Sequence, residues 1–348
     1  MAGRIWTYQK AAEKTSGKYV LRLASRPSAK LSDHQVRIAI GAVSLNYRDL
    51  IALTNKAGRN VDGRVPASDG AGRITEIGAA VKQWKVGDRV AGCFFQSWQA
   101  GRFEMRHHKQ DLGGTIDGML ADEVVLDENG VVAVPTSMTD HQASTLPCAA
   151  LTAWYSMIVR GGLASGETVL VLGTGGVSIF ALQIAHAYGA KVLVTSSSDS
   201  KLIRAQRIGA AHTINYRSNP DWDKAVLEAT DQLGVDHVIE TGGPGTLEKS
   251  MNCVAAGGQI AQIGVLTGFG PPTCSLFPLV ARNVRLDGIY VGPRDAFVSM
   301  NRFFEQKNIQ PVIDRVFSFE DAPSAFEYLE SGQHFGKVVI SNEGNNVS

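Results

Sequence analysis

From Glu167 onward the chain alternates short apolar runs with longer segments of helical period, and no other feature restricts its possible folds as much. "TVLVLG" is followed by the helical "VSIFALQIAHAYG", "KVLVTS" by "DSKLIRAQRIG", and "HTINY" by "DWDKAVLEATDQLG"; "VDHVIE", "GTLEKSMNCVAAG", "GQIAQIG" and "NVRLDGIYV" close the series. Apolar strands separated by helices of about 10 to 15 residues build βαβ units, with parallel strands and helices on both faces of the sheet. Six strand candidates are present, the number a dinucleotide-binding sheet uses.

The preceding region reads differently. Between Gln35 and Pro135 the apolar runs "VRIAIGAV", "GRITEIG", "KVGDRVAGCFF", "LADEVVL" and "VVAVP" are cut by glycine and turn residues, which predicts a compact, mostly antiparallel β domain. The stretch "QSWQAGRFEMRHHKQDLGG" has no clean period and is expected to be a surface loop. After Gly292 come a helix ("AFVSMNRFFEQK"), a strand ("PVIDRVFSF"), a helix ("EDAPSAFEYLES") and a strand ("GKVVIS") without the βαβ rhythm, so this tail is expected to rejoin the first domain. At 348 residues two domains are expected: 1–150 completed by 292–348, and 151–291.

A net charge of +1, with 44% apolar and 19% charged residues, provides a core but no polybasic surface, so nucleic acid and anionic membrane are poor partners. The N-terminus has no apolar signal region and no later run is long enough to span a bilayer. Cys93, Cys148, Cys253 and Cys274 are scattered, with no CxxC pair, and read as thiols in a reducing compartment. A cytoplasmic protein is expected.

The most informative local string is Gly173-Thr-Gly175-Gly176-Val-Ser178, set between a strand and a helix. Glycine permits the tight turn and lets the backbone approach a pyrophosphate, which the N–H groups and positive end of the helix then hold. NAD-specific folds place an acid about 20 residues further on, where it bonds the ribose hydroxyls. Here Thr195, Ser196, Ser197 and Ser198 follow the second strand, with Lys201 one helical turn later. Hydroxyls and an ammonium donate to a 2′-phosphate that a carboxylate would repel, so NADP(H) is expected. Asp199 is a contrary sign, although an acid suits the first turn of a helix. Tyr216 and Arg217, at the end of the third strand, face either the same phosphate or solvent.

With these strings in place, the chain resembles the medium-chain dehydrogenase/reductase superfamily over nearly its whole length. It looks closest to the zinc-free branch of quinone oxidoreductases and alcohol dehydrogenase-like proteins. "SLNYRDL", "ASDGAGRITEIGAAVKQWKVGDRV", "LPCAALTAWYSM", "GTGGVSIFALQIA" and "TSSSDSKLIRAQRIGAAHTINY" carry the resemblance. It implies an α/β protein: a Rossmann domain with a six-stranded parallel sheet, a GroES-like β-rich catalytic domain, and an active-site cleft between them. Zinc-dependent members hold their catalytic metal with a cysteine in the first string, a histidine before the glycines of the second, and a cysteine or acid in the third. Here these positions are Asn46, Ser68 and Cys148, and zinc requires about three N, S or O ligands from the protein. The structural zinc lobe needs four close cysteines and its region offers only Cys93. No metal is expected. His107 and His108 are adjacent, so in a strand they would point to opposite faces.

The resemblance places Asn46 near the nicotinamide, Thr152 in contact with the nicotinamide side, and Gly175, Gly176 and Val177 on the pyrophosphate. It assigns Ser196, Ser197, Lys201 and Tyr216 to the 2′-phosphate end, and Gly264, Val265 and Leu266 to the carboxamide. Phe335 and Lys337 reach the cofactor from the C-terminal segment. Phe94, Phe95, Trp98, Tyr155 and Phe269, with Tyr47, are candidate pocket walls, each equally suited to the core. Asn46 and Tyr47 are the catalytic candidates. In "SLNYRDL", Arg48 and Asp49 are expected to serve helix capping and ion pairing.

Without metal, hydrogen bonds alone must stabilise charge developing on a carbonyl oxygen. That suits reduction of a quinone or an α,β-unsaturated carbonyl compound by NADPH. The alternatives are a zinc-independent NADP-dependent alcohol dehydrogenase and a cofactor-binding protein without turnover. The apolar strand "NVRLDGIYV" and the resemblance together imply a homodimer.

Overall fold

A computed structural model describes residues 2–11 and 18–342. The chain divides into two compact units, one ending at Cys148 and resuming at Pro293, the other Ala149–Gly292.

In the second unit six strands form one parallel sheet in the order His212–Asn215, Lys191–Ser196, Thr168–Leu172, Val235–Glu240, Val254–Gln262, Arg285–Gly288. Their near-continuous apolar runs follow from burial on both faces; Val169, Leu170, Val171, Val192, Leu193 and Val194 are fully buried. The strand order reverses beside Thr168–Leu172, and in a doubly wound sheet ligands bind at such a reversal, beyond the carboxyl ends of the strands. The glycine string begins there. This is the Rossmann architecture implied by the alternation of strands and helices.

The first unit is built on the strand Gln35–Leu45, which pairs antiparallel with three neighbours. Its sheet runs Ile313–Ser318, Lys337–Ser341, Gln35–Leu45, Asp69–Ile77, Arg89–Gly92, Val131–Ala133, with Glu123–Asp127 paired to the first half of the central strand. Only Ile313–Ser318 and Lys337–Ser341 are parallel, which lets the tail after Pro293 complete the sheet. Val36, Ile38, Ile40, Val43 and Leu45 face a core shared with Phe319, Phe326, Val338 and Ile340 from that tail. Ala2–Lys10 also pairs antiparallel with Tyr19–Pro27 as a separate two-stranded sheet.

Between Ser97 and Gln110 the stretch expected to be a surface loop is mostly exposed and irregular, with one short 3-10 helix, and it is tied down by buried side chains. Phe94, Phe95 and Trp98 are buried, and Phe103 meets Trp98 edge-on at 5.0 Å between ring centroids. His107 and His108 lie on the short 3-10 helix Met105–Gln110 rather than a strand. His107 stacks on Trp98 at 6.0 Å, and His108 meets Phe95 edge-on at 5.7 Å, so both rings join one aromatic cluster. Irregularly spaced aromatics tie this segment down without any strand or helix period. Asp111 anchors its end. Fully buried, Asp111 accepts from Arg48 (3.0 Å), Arg59 (3.1 Å) and both the N–H and hydroxyl of Thr115 (3.1 and 2.7 Å).

Candidate functional site

In the first unit, the end of the central strand gathers the polar residues. Val338 lies opposite Leu45 on one side, and Asp69 opposite Ser44 on the other. The register therefore brings Lys337 to one flank of Asn46, and Ser68 and Asp69 to the other. Lys337, almost wholly buried, donates from Nζ to Leu45 O and to Asn46 Oδ1, both at 2.6 Å. Asp69 accepts from Ser68 Oγ (2.7 Å) and from the Cys148 backbone N–H (3.1 Å).

Burial pushes the Asp69 carboxyl above the usual carboxylate range, opposed chiefly by the Lys337 charge. It likewise lowers the Lys337 ammonium, opposed chiefly by Asp69. Both charged forms have hydrogen-bond partners, and the short Nζ contacts have the length of charge-assisted bonds, so the pair is read as ionised. Asn46 stands between them. Its Oδ1 faces the ammonium, and its Nδ2 favours the ionised form of Asp69 yet finds no acceptor in hydrogen-bond geometry.

Asn46 also starts the helix Tyr47–Leu53. Its backbone N–H donates to Asp49 Oδ2 at 2.8 Å, and the Asp49 N–H donates to Asn46 O at 3.0 Å. Burial raises the Asp49 carboxyl to about 6, against the pull of Arg48. Arg48 donates to Leu112 O at 2.6 Å and lies over the Phe94 ring. The two charges of "SLNYRDL" thus cap a helix and anchor the aromatic segment. Tyr47 is half-buried beside them. Phe94, Phe95 and Trp98 pack into the aromatic cluster, and Phe335 is also fully buried.

The second unit carries the glycine turn. Gly173 is left-handed (φ 76°), with open space where a Cβ would stand, and Gly175 precedes the helix Gly176–Ala187, whose first turn takes no side-chain cap. Ser178, in the place of the third glycine, is buried and donates to Leu172 O at 2.7 Å, pinning the helix to the strand before it. The turn leaves backbone N–H groups and an open face for a pyrophosphate, so the residues present fit a bound dinucleotide.

At the end of Lys191–Ser196, Ser196 is buried and its Oγ accepts from the Ser198 N–H (3.3 Å). Ser197, Ser198 and Lys201 are half-buried and Tyr216 is exposed. Asp199 opens the helix Asp199–Arg207, and its Oδ1 accepts from Asn215 Nδ2 at 2.6 Å. The contrary acid is therefore engaged by the neighbouring strand. Thr152 and Tyr155 are buried in the helical segment after Leu151. Gly264 has a local reason to be glycine, since a Cβ would stand 1.8 Å from Thr241 O. Val265 is half-buried, whereas Leu266 and Phe269 are exposed. Sequence reading missed Glu240, which is buried and accepts from the N–H groups of Gly242 and Gly243 (2.7 and 3.0 Å) and from Thr246, ordering the loop after its strand.

A chain that combines a doubly wound sheet carrying this turn with a β-rich unit carrying a buried polar cluster has the parts of a dinucleotide-dependent oxidoreductase. Residues 32–136 match the alcohol dehydrogenase GroES-like domain, and residues 176–306 the zinc-binding dehydrogenase domain. A zinc-type alcohol dehydrogenase-like protein of Schizosaccharomyces pombe (strain 972) is 41% identical over 89% of this chain and 92% of its own length. A crystal structure described as an alcohol dehydrogenase of Sinorhizobium meliloti 1021 superposes with a TM-score of 0.91 at 39% identity, covering 98% of each chain. The quinone oxidoreductase of Pseudomonas syringae pv. Tomato DC3000 superposes with a TM-score of 0.81 at 25% identity, covering 98% of this chain and 100% of that one. The chain belongs to the medium-chain dehydrogenase/reductase superfamily and is an oxidoreductase of that type. No helix among the described residues is long and apolar enough to cross a membrane.

These relatives raise the question of zinc. Of the three positions that would carry its ligands, Asn46 gives its oxygen to Lys337, and Ser68 gives its hydroxyl to Asp69. Cys148 alone matches the pattern of the zinc-dependent members, and one thiol does not make a zinc site. Among the described residues no three His, Cys, Asp or Glu side chains are grouped to hold a metal ion. The donor set does not fit zinc.

Proposed function

We propose that the protein is an NADPH-dependent reductase of quinones or α,β-unsaturated carbonyl compounds, transferring hydride without a metal. The observation that carries this reading is the buried cluster of Asn46, Lys337 and Asp69, where an amide and an ammonium converge instead of metal donors. Such a site offers hydrogen bonds to an oxygen on which charge is already delocalised, as in an enolate or a reduced quinone. Alcohol oxidation asks for more, since the hydroxyl proton must leave without a metal to acidify it. Asn46 is the hydrogen-bond donor of the proposed site, Tyr47 its proton-donor candidate, and Thr152 and Gly264 to Leu266 the nicotinamide contacts. Likeness to a quinone oxidoreductase supports the substrate class. A second reading, zinc-independent alcohol dehydrogenation with NADP+, is favoured by the descriptions of the two relatives with about 40% identity.

A panel of quinones, conjugated enones and alcohols, followed by NADPH absorbance after treatment with a chelator, separates the two. Turnover of quinones or enones is expected to survive chelation. Alcohol oxidation as the only activity in that panel would establish the second reading instead.

The proposed preference for NADPH rests on Ser196, Ser197 and Lys201 after the second strand, on Tyr216 after the third, and on the engagement of Asp199 by Asn215. Ser196→Asp places a carboxylate there. A charge-assisted bond contributes about 1.5 to 3 kcal/mol, so the ratio of kcat/KM for NADPH over NADH is expected to fall by about 10- to 100-fold. An unchanged ratio would remove this assignment.

A homodimer is the proposed assembly. The edge strand Arg285–Gly288 pairs with the sheet on one side only, and Phe277, Val280, Leu286 and Tyr290 around it are exposed. Light scattering is expected to report twice the chain mass of 37.3 kDa; a monomer across the working concentration range would refute it.

A further inference from the structure

Glu240 closes the strand Val235–Glu240 with a side chain fully withdrawn from solvent. That strand lies directly beside Thr168–Leu172, so the loop after Glu240 and the glycine turn after Leu172 leave the sheet where the strand order reverses. A doubly wound sheet consists of two mononucleotide-binding halves, and a dinucleotide lies across the crevice between them. The glycine turn belongs to one half, and the loop after Glu240 is the facing wall from the other. Hydroxyls and backbone N–H groups, not a cation, occupy the Glu240 oxygens among the described residues. Gly242 N–H, Gly243 N–H and Thr246 Oγ1 donate to Oε1 at 2.7, 3.0 and 2.7 Å, and Ser250 Oγ donates to Oε2.

The loop held in this way is stitched to both neighbours. Thr241 Oγ1 donates to Leu172 O at 2.9 Å, sharing that carbonyl with Ser178 Oγ at 2.7 Å, so the residue before the glycine turn is fixed from both halves of the sheet. On the other side the Gly264 N–H donates to Glu240 O at 3.0 Å, and Thr267 donates to Gly242 O from its N–H (2.8 Å) and its hydroxyl (2.9 Å). The Gly245 N–H donates back to Thr267 Oγ1 at 2.8 Å. We propose that Glu240 is the positioning residue of the nicotinamide half of the cofactor site, fixing the loop 241–246 that sets the spacing between the glycine turn and the loop 263–267. The inference rests on the reading above that gives Gly264 to Leu266 to the nicotinamide. Glu240 acts through the loop and not by contact with the cofactor.

Titration calorimetry on full-length variants tests this without any substrate. NADPH is compared with 2′-phospho-ADP-ribose, which keeps the adenosine, pyrophosphate and second ribose but lacks the nicotinamide; NADH is compared with ADP-ribose in the same way. Glu240→Leu removes both acceptor oxygens. Its Kd for the dinucleotide is expected to rise about tenfold, the worth of about one net hydrogen bond, with the Kd for the fragment within about twofold of wild type. Glu240→Gln keeps an oxygen for Gly242 and Gly243, and the Ser250 hydroxyl can turn to accept from the new amide, so this variant should recover most of the loss. Thr267→Val, at an exposed position, unstitches the same loop from its other side and should show the same split even where Glu240→Leu does not fold.

Equal losses for dinucleotide and fragment would overturn the proposal, because Glu240 would then support the sheet as a whole and not the nicotinamide wall. Unchanged affinity for both would overturn it as well. Failure of the wild-type protein to oxidise NADPH with any quinone or enone would refute the functional reading instead, and the split between dinucleotide and fragment would still decide the inference. A wild-type preference for NADH would refute the 2′-phosphate assignment alone, since the NADH and ADP-ribose pair then carries the comparison.

Discussion

Asp111→Ala is expected to lower the midpoint of thermal unfolding by about 10 °C. Asp111 is fully buried, and its loss leaves Arg48, only 16% exposed, with the longer contact to Asp49 at 3.5 Å as its remaining ion pair beneath the aromatic segment. Breaking a buried pair by removing one partner costs about 3 to 5 kcal/mol, because the surviving charge is left uncompensated. At about 2 to 4 °C per kcal/mol for a unit of this size, the shift falls near the stated value. The control is Arg59→Ala, whose side chain is 42% exposed and whose pairing is screened by water; it should cost less than about 1 kcal/mol. Calorimetry or tryptophan fluorescence reads both. A shift below about 2 °C for Asp111→Ala would show that the aromatic cluster holds the segment unaided.

Asn46→Asp carries the largest expected effect on turnover. The substitution is nearly isosteric and keeps an oxygen for Lys337 Nζ, now 2.6 Å from Asn46 Oδ1, but exchanges the Nδ2 donor for an acceptor. Loss of one donor to a developing oxyanion costs about 100- to 1000-fold in rate. Single-turnover hydride transfer is therefore expected to slow by about 100-fold, while NADPH affinity changes by less than about threefold. A rate within about threefold of wild type would remove Asn46 from the chemistry and leave it a structural bridge between Lys337 and Asp69. Far-ultraviolet circular dichroism and the unfolding midpoint check that the variant is folded.

Much of the architecture was legible because it is written in short-range patterns. The strands from Thr168 to Gly288 read as apolar runs, since both faces of a parallel sheet are buried, and the helices between them carry their own period. The turn at Gly173 was legible for the same reason: a left-handed residue between a strand and a helix demands glycine whatever surrounds it. Asp49 could be assigned to a helix start because capping is a relation between residues three apart. The aromatic segment after Cys93 read as a loop, and most of its backbone is irregular, but the packing that holds it was not legible. Its order comes from side chains meeting in space, with Asp111 reaching Arg48 across 63 residues, and no local period records that.

The sequence by itself determined a Rossmann sheet, a β-rich partner, a glycine turn between strand and helix, and Asn46 and Ser68 at two of the three positions where zinc-dependent relatives carry ligands, with Cys148 matching the third. Only the tertiary structure decided what those positions do instead. Lys337 reaches Asn46 because the last strand pairs antiparallel with the central one, setting Val338 opposite Leu45. A one-residue change of register would turn the lysine to the other face of the sheet. Local propensity sets which segments become strands, but strand pairing over nearly the whole chain determines which charge meets which amide.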